Sequence, residues 1–262
     1  MACGSFLVGT CGFQRARSLH YKSLDAVEVQ QTFYDPPPPE RLSKWRTEAP
    51  EGFVFTVKAW MLITHGYNKR LWRRLKRELP FEPAEFKPFH TNKAVLWALE
   101  VTLEAARALG ARVLVFQSPA SFGATEENAR LVASFFKEAG LENWEVYWEP
   151  RGSWWSQGRG LLERVASEAG IGIAGDVLRG RLPPRGQDAL YARLHGLGGR
   201  GEVNYRYKYS DDDLQRLLDA ISPWGGGYIM FNNVYAFNDA RRFREMLCNK
   251  IASSRGQGEP GR

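Results

Sequence analysis

Glu28, Lys58, Glu149, Arg151, Asp176, Arg193 and His195 lie far apart in the chain, yet each falls within or just after a short apolar run. Gln117, Asn232 and Asn233 occupy the same kind of position, and His65 follows a little beyond Lys58. A strand buried on both faces tolerates few charges, because removing an unpaired charge from water is costly. Ionisable groups repeated at run after run therefore point to a shared site. Lys58, Arg151 and Arg193 have the chemistry to hold a phosphate or carboxylate. Gln117, Asn232, Asn233, Tyr34, His65 and Trp154 are candidates to complete that contact. Glu149 and His195 are candidates for proton transfer, with Glu28 orienting a partner. In this reading no cofactor is required. In the alternative, Glu28, Glu149 and Asp176 hold a divalent metal, although no H-x-H or H-x-x-E pair marks a metal site. No serine elbow is present and Cys11 has no adjacent base, so nucleophilic catalysis is disfavoured.

A second group of charges has a different character. Six cations in Lys69-Arg70-Leu71-Trp72-Arg73-Arg74-Leu75-Lys76-Arg77 interleave with apolar residues. On a helix, Leu71, Trp72 and Leu75 would form one apolar stripe with the cations on the other faces. Arg70, Arg73, Arg74 and Arg77 then become candidates for tracking a nucleic-acid backbone. The net charge of +7 over 262 residues suits a polyanionic or phosphorylated partner.

The elements that must position the first group are legible as a rhythm. Short apolar or β-branched runs occur at 6–8, 26–29, 53–57, 112–116, 145–148, 172–174, 190–194 and 228–231. Helix-like segments lie between them. Residues 93–109 place Val95, Leu96, Leu99, Leu103 and Ala106 at helical spacing before Gly110. Residues 125–139 open on a Thr cap and end before Gly140. Residues 161–169 end at Gly170, residues 210–221 open on Ser-Asp-Asp-Asp, and 236–247 close the pattern. Eight alternations in about 250 residues give an α/β fold, a single TIM-type (β/α)8 barrel with an insertion after strand 3. The barrel is expected over residues 1–252, with the insertion roughly at 60–92 and a disordered tail over 253–262. In such a barrel the C-terminal strand ends share one mouth, which explains how distant residues would meet. A doubly wound open sheet is disfavoured, because Gly4, Gly9 and Gly12 do not form G-x-G-x-x-G.

Composition sets the remaining limits. A hydrophobic fraction of 44% supports a large core. No apolar run approaches the roughly 18 residues of a membrane span, so no membrane partner is expected. The first ten residues carry no Lys or Arg and do not read as a signal peptide. Cys3, Cys11 and Cys248 form no CxxC pair, which leads us to expect free thiols and a cytoplasmic location.

These stretches together make the chain recognisable. Val8-Gly9-Thr10-Cys11-Gly12-Phe13, Val27-Glu28-Val29-Gln30-Gln31-Thr32-Phe33-Tyr34 and Pro50-Glu51-Gly52-Phe53-Val54-Phe55-Thr56-Val57-Lys58 are the first three. Thr64-His65, Phe116-Gln117-Ser118-Pro119, Glu149-Pro150-Arg151-Gly152-Ser153-Trp154, Tyr191-Ala192-Arg193-Leu194-His195-Gly196 and Phe231-Asn232-Asn233 follow in order. The chain thus resembles the YecE-like family of uncharacterised TIM barrels, domain of unknown function 72. The resemblance implies the barrel, and its shape is similar to that of sugar isomerases and endonuclease IV. Our leading expectation is an enzyme, hydrolase-like, acting on a phosphate-containing or nucleic-acid-derived substrate at the mouth. The alternatives are a nucleic-acid-binding protein without catalysis and a metal-dependent sugar-type isomerase or lyase.

Overall fold

The computed structural model describes residues 4–184, 186–199 and 201–256. Eight parallel strands close into a barrel in sequence order. They are β1 Phe6–Cys11, β2 Ala26–Val29, β3 Val54–Lys58, β4 Val113–Gln117, β5 Glu145–Glu149, β6 Gly172–Gly175, β7 Leu190–Leu194 and β8 Gly227–Phe231. Each coincides with an expected run to within three residues at either end. Parallel strands need crossover connections, and helices on the outside supply them. Lys93–Ala108 starts from an Asn92 cap and buries Val95, Ala98, Leu99, Thr102 and Leu103 against the barrel. Glu126–Glu138 is capped by the Thr125 hydroxyl, and Asp211–Ala220 opens with a Ser210–Asp213 capping box. Among the described residues, no helix is long and apolar enough to cross a membrane.

Alternation along each strand divides its side chains between two cores. One set faces the helices, as Val27, Phe55, Leu114, Phe116 and Trp148 do. The other set faces the barrel interior, where Cys11, Ala26, Val113, Val115, Tyr147, Ala174, Tyr191 and Met230 pack together. Following the interior set by twos toward the C-terminal ends brings the chain to Glu28 after Ala26, to Lys58 after Thr56, to Gln117 after Val115, to Glu149 after Tyr147, and to Arg193 after Tyr191. The strand period therefore delivers ionisable side chains to one end of a closed apolar tube.

Residues 59–92 form an irregular layer over Lys93–Ala108. Phe86 and Phe89 are buried there, and Phe81, Phe86 and Trp97 make ring contacts. Phe89 is the one described non-glycine residue with positive φ, at 55°. Its N–H donates to Ile63 O at 2.9 Å and its ring packs on Phe122, Phe135 and Trp148, contacts that hold the unfavourable backbone in place. The expected long basic helix is not formed. Helix is confined to Lys69–Trp72, because the Trp72 indole turns back to donate to Gly66 O and the Lys76 N–H donates to the Asp35 carboxylate.

Two further corrections concern the C-terminal part. The last helix, Ala236–Gly256, continues through residue 253, where a disordered tail was expected to begin. The rest of that expected tail, 257–262, lies outside the described residues. Cys11 is a free, buried thiol, whereas Cys248 is disulfide-bonded, against the expectation of free thiols throughout.

The closeness of β1 to β2 rests on Gly9. A Cβ there would lie 2.3 Å from Ala26 O and 3.0 Å from Met230 Sδ, and the backbone contact has no flexible atom to yield. Gly9→Ala is expected to destabilise the barrel by about 1–3 kcal/mol, read as a lower urea midpoint at unchanged slope.

Candidate functional site

Arg193 organises the mouth. It is completely buried, and its guanidinium is divided between two carboxylates. Nε donates to Glu28 Oε2 at 2.9 Å and Nη2 to Glu28 Oε1 at 2.7 Å, a bidentate pair across the barrel from β7 to β2. Nη1 donates to Glu149 Oε2. Glu28 also accepts from the Tyr191 hydroxyl at 3.0 Å and from the Gln30 amide. Tyr191 is two residues before Arg193 on the same inward face, and Thr56 Oγ1 lies 2.7 Å from its hydroxyl. Burial, reinforced by the Glu28 charge, raises the Tyr191 phenol well above its ordinary range, so it stays a donor.

Glu149 holds a second arginine. Its Oε1 is 3.1 Å from Arg151 Nη2. Burial by itself would raise the Glu149 carboxyl; Arg151 and Arg193, with His195 and Lys58, hold it well below the usual carboxylate range. The two arginines thus favour the ionised form of Glu149. His195 is also committed. Arg151 Nη2 lies 2.9 Å from its Nε2, and a guanidinium can only donate, so Nε2 is the acceptor. The ring proton is then on Nδ1, which lies 3.8 Å from Asp176 Oδ2. Burial lowers the His195 pKa, against the pull of Glu149, and the imidazole is neutral. Asp176 accepts the His195 backbone N–H at 2.9 Å. His195 is therefore placed to orient Arg151.

Lys58 stands apart from this network. Its Nζ donates to Gln117 Oε1 at 2.8 Å and sits 3.7 Å from the Phe33 ring centroid. Among the described residues it makes no ion pair. The Thr32 hydroxyl, donating to Lys58 O at 2.7 Å, fixes the backbone at this strand end. Burial lowers the Lys58 pKa to about 7, with Arg193 adding to the drop and Glu28 and Glu149 opposing it. His65 packs edge-on against Phe33 and its Nδ1 lies 2.8 Å from Thr64 Oγ1. Burial, then the Lys58 and Arg151 charges, push His65 down to about 3, so it is neutral as well.

Several buried polar atoms at this end have no hydrogen-bond partner. They are Arg151 Nε, Ser118 Oγ, Asp176 Oδ1 and His195 Nδ1. Buried polar atoms are normally satisfied, so this group at one mouth marks where a ligand or ordered water belongs. Above it, the 195–209 connection carries Tyr205 6.2 Å from the His195 ring. Glu202 fastens that connection by accepting from the Gly152 N–H at 2.7 Å and lying 3.2 Å from Arg181 Nη2.

Other expected site residues have structural duties. Trp154 is fully buried, donates to Phe122 O and packs on Trp148, so it is a core anchor. Asn233 donates to Tyr207 O and Asp239 Oδ2, both at 2.7 Å, and ties β8 to the last helix. The Asn232 N–H extends the β8 pairing to Leu194 O. Tyr34 is covered by Arg74, whose guanidinium lies 4.2 Å above its ring. Arg77 donates to Pro36 O and lies over Trp60. Of the four arginines expected to bind nucleic acid, Arg77 is half-buried against the barrel, Arg74 is exposed but lies over Tyr34, and Arg70 and Arg73 are exposed.

The metal alternative fares poorly in this geometry. The Arg193 guanidinium fills the place a cation would take between Glu28 and Glu149. Among the described residues no three His, Cys, Asp or Glu side chains gather with metal-binding geometry. A cavity of about 720 Å³ does exist, but at the opposite end, between Tyr147, Glu163, Gly172, Gln187 and Asp188. Barrel sites form at the C-terminal face, and the unpaired donors are there.

Comparison with known proteins adds a family. The model of a family described as a protein of unknown function, DUF72, matches residues 11–260. Among solved structures, a DUF72 family protein from Enterococcus faecalis is 19% identical, with a TM-score of 0.66 over 95% of this chain and 98% of that one. One from Thermotoga maritima is 24% identical, with a TM-score of 0.63 over 93% and 99%. A xylose isomerase domain containing protein from Salmonella typhimurium is 14% identical, with a TM-score of 0.52 over 93% of each chain. These likenesses show a shared fold. Comparison with curated proteins gives no match.

The two kinds of cation predict opposite stability effects. Arg193→Met strands the buried Glu28 without a counter-charge and takes one of the two arginines from Glu149, and is expected to cost about 3–5 kcal/mol in denaturant titration. Lys58 is depressed in the folded state, so the unfolded chain binds its proton more readily between about pH 7 and 10.5. Its destabilising effect is full below about pH 7 and fades as pH rises toward 10.5. Lys58→Met is therefore expected to raise the melting temperature at pH 7, with the gain shrinking at pH 10.

Proposed function

The chain belongs to the DUF72 family, and from that premise and the mouth geometry we propose that it is an enzyme acting on a small phosphate-containing substrate. The observation that carries this reading is the surplus of buried donors. Arg193 is consumed by the carboxylates of Glu28 and Glu149, and Arg151 shares only Glu149 with it. Arg151 keeps its Nε unpartnered, Ser118 keeps its hydroxyl unpartnered, and Lys58 keeps an amine beside a neutral amide. An incoming phosphate supplies the missing acceptors and the missing negative charge.

The roles differ from those the sequence suggested. Arg151, held by Glu149 and His195, is the anion clamp. Arg193 and Glu28 are the scaffold that keeps Glu149 in place. Lys58, whose pKa lies near neutrality, is the proton-transfer group. In a hydrolytic reaction it would take the proton of the attacking water. Binding of nucleic acid along residues 69–77 has less support, because Arg74 and Arg77 are folded onto Tyr34 and Pro36.

Calorimetric titration with inorganic phosphate tests the clamp. Arg151→Met is expected to weaken binding by about tenfold to a hundredfold, the scale of a charge-assisted hydrogen bond. The Arg70→Glu/Arg73→Glu pair, on the exposed turn, is expected to leave it unchanged. Phosphate affinity that follows the surface pair and ignores Arg151 would overturn the proposal. With a substrate found by screening phosphorylated compounds, turnover is expected to rise with pH through about 7 as Lys58 becomes the free base.

A further inference from the structure

The phosphate reading leaves the amine of Lys58 with more capability than proton transfer requires. We propose that Lys58 is a nucleophile, and that the substrate class of this site is a phosphate-bearing aldehyde or ketone captured through an imine. The proposal rests on the phosphate reading above and narrows it.

Three features of the surroundings support it. First, Lys58 is cut off from carboxylates. Glu28 and Glu149 spend their oxygens on Arg193, Arg151, Tyr191 and Gln30, and the Lys58 Nζ has the Gln117 amide oxygen at 2.8 Å. A lysine salt-bridged to a carboxylate holds its proton, whereas one beside a neutral amide can release it. Second, Lys58 is 6% exposed as a residue, with its amine against the Phe33 ring and within the field of Arg193 and Arg151. Desolvation beside other cations is the condition under which a lysine amine becomes nucleophilic near neutral pH. Third, an anion anchor is next to it. Arg151, whose Nε is unpartnered, lies two residues after Glu149, the residue paired with Gln117, the Lys58 partner. A phosphate held by Arg151 would fix the other end of the molecule at the amine.

The chemistry balances without an outside oxidant or reductant. The neutral Nζ forms a bond to the carbonyl carbon, the carbonyl π pair moves to oxygen, and a proton passes from the nitrogen to that oxygen to give a neutral carbinolamine. The carbinolamine then loses its hydroxyl as water with one further proton, and the nitrogen lone pair closes the C=N bond. One carbonyl and one ammonium give one iminium ion and one water. The iminium is an electron sink for bond cleavage at the adjacent carbon, which serves cleavage, condensation or isomerisation.

Borohydride trapping on the whole chain tests this, using glycolaldehyde phosphate and pyridoxal phosphate as probes. Peptide mapping is expected to find the reduced adduct on Lys58 in at least about tenfold excess over the exposed Lys69 and Lys76. Inorganic phosphate is expected to suppress it, and Arg151→Met to lower it. Lys58→Arg keeps the charge and lacks the amine, so it is expected to bind phosphate and trap nothing at that position. Adducts from both probes spread over Lys69 and Lys76 with Lys58 untouched, while Arg151→Met still weakens phosphate binding, would overturn the imine and leave the phosphate site standing. Loss of the Arg151 dependence as well would overturn both.

Discussion

Everything at the mouth depends on one buried guanidinium held between two carboxylates. Arg193 meets Glu28 from β2 and Glu149 from β5 while completely removed from water. Such a cluster is stable only when geometry is good and the remaining lone pairs are satisfied, because desolvation of each charge opposes it. Here Tyr191 and Gln30 complete Glu28, and Arg151 completes Glu149. The cluster also fixes register. A slip of one residue in β7 would turn Arg193 out toward the helices and Ala192 or Leu194 inward, stranding both carboxylates. The network therefore acts as a polar lock on the pairing of strands that apolar packing alone would specify less sharply.

The lock is electrically unbalanced, and the imbalance has a place. Glu28 and Glu149 are saturated by arginines, which leaves Lys58 beside Gln117 with no carboxylate of its own. The same arginine charges that keep Glu149 ionised act on Lys58 in the opposite sense and favour its neutral form. His195 and His65, the residues one would first suspect of acid–base chemistry, are kept neutral by burial and by Arg151. In the proposed reading, structural and chemical roles are thus exchanged relative to residue-type intuition: the histidines position, and the lysine is the group that titrates.

How far the sequence could be read follows from which signals are local. The strands were legible because runs such as 26–29 and 190–194 are apolar and β-branched, and their spacing gave the barrel. The mouth residues were legible because a charge at the end of such a run is conspicuous. Their roles were not, since the difference between Arg193 and Arg151 lies in which carboxylates face them from other strands. Tyr191 stands in the recognisable stretch but not among the expected site residues, although it shares the inward face of Arg193 two residues on, a period-two signal the sequence does contain. The basic stretch misled for the opposite reason. Its apolar spacing fits a helix, but Trp72 and Arg77 find better partners in Gly66 and Pro36 than helical continuation offers. Asn233 and Trp154 sit at positions that look like a site and are used for tying elements together.

Burial at the mouth also bears on the size of what enters it. Arg151, Ser118 and Glu149 are nearly inaccessible, and the 195–209 connection is drawn over His195 by Glu202, Arg179 and Arg181. A long polyanion makes its contacts with exposed rows of cations, where counterions can be released. The cations with unpartnered donors here are not exposed, and the exposed cations of residues 69–77 sit on a short turn rather than along a long helix face. A small molecule can bring an anionic group to Arg151 and a reactive carbon to Lys58 together, and once inside it excludes water from both. In that enclosure the field of the fixed arginines acts at full strength on whatever charge develops next to Lys58. The same desolvation that makes the lysine costly to the fold is therefore what makes it chemically useful.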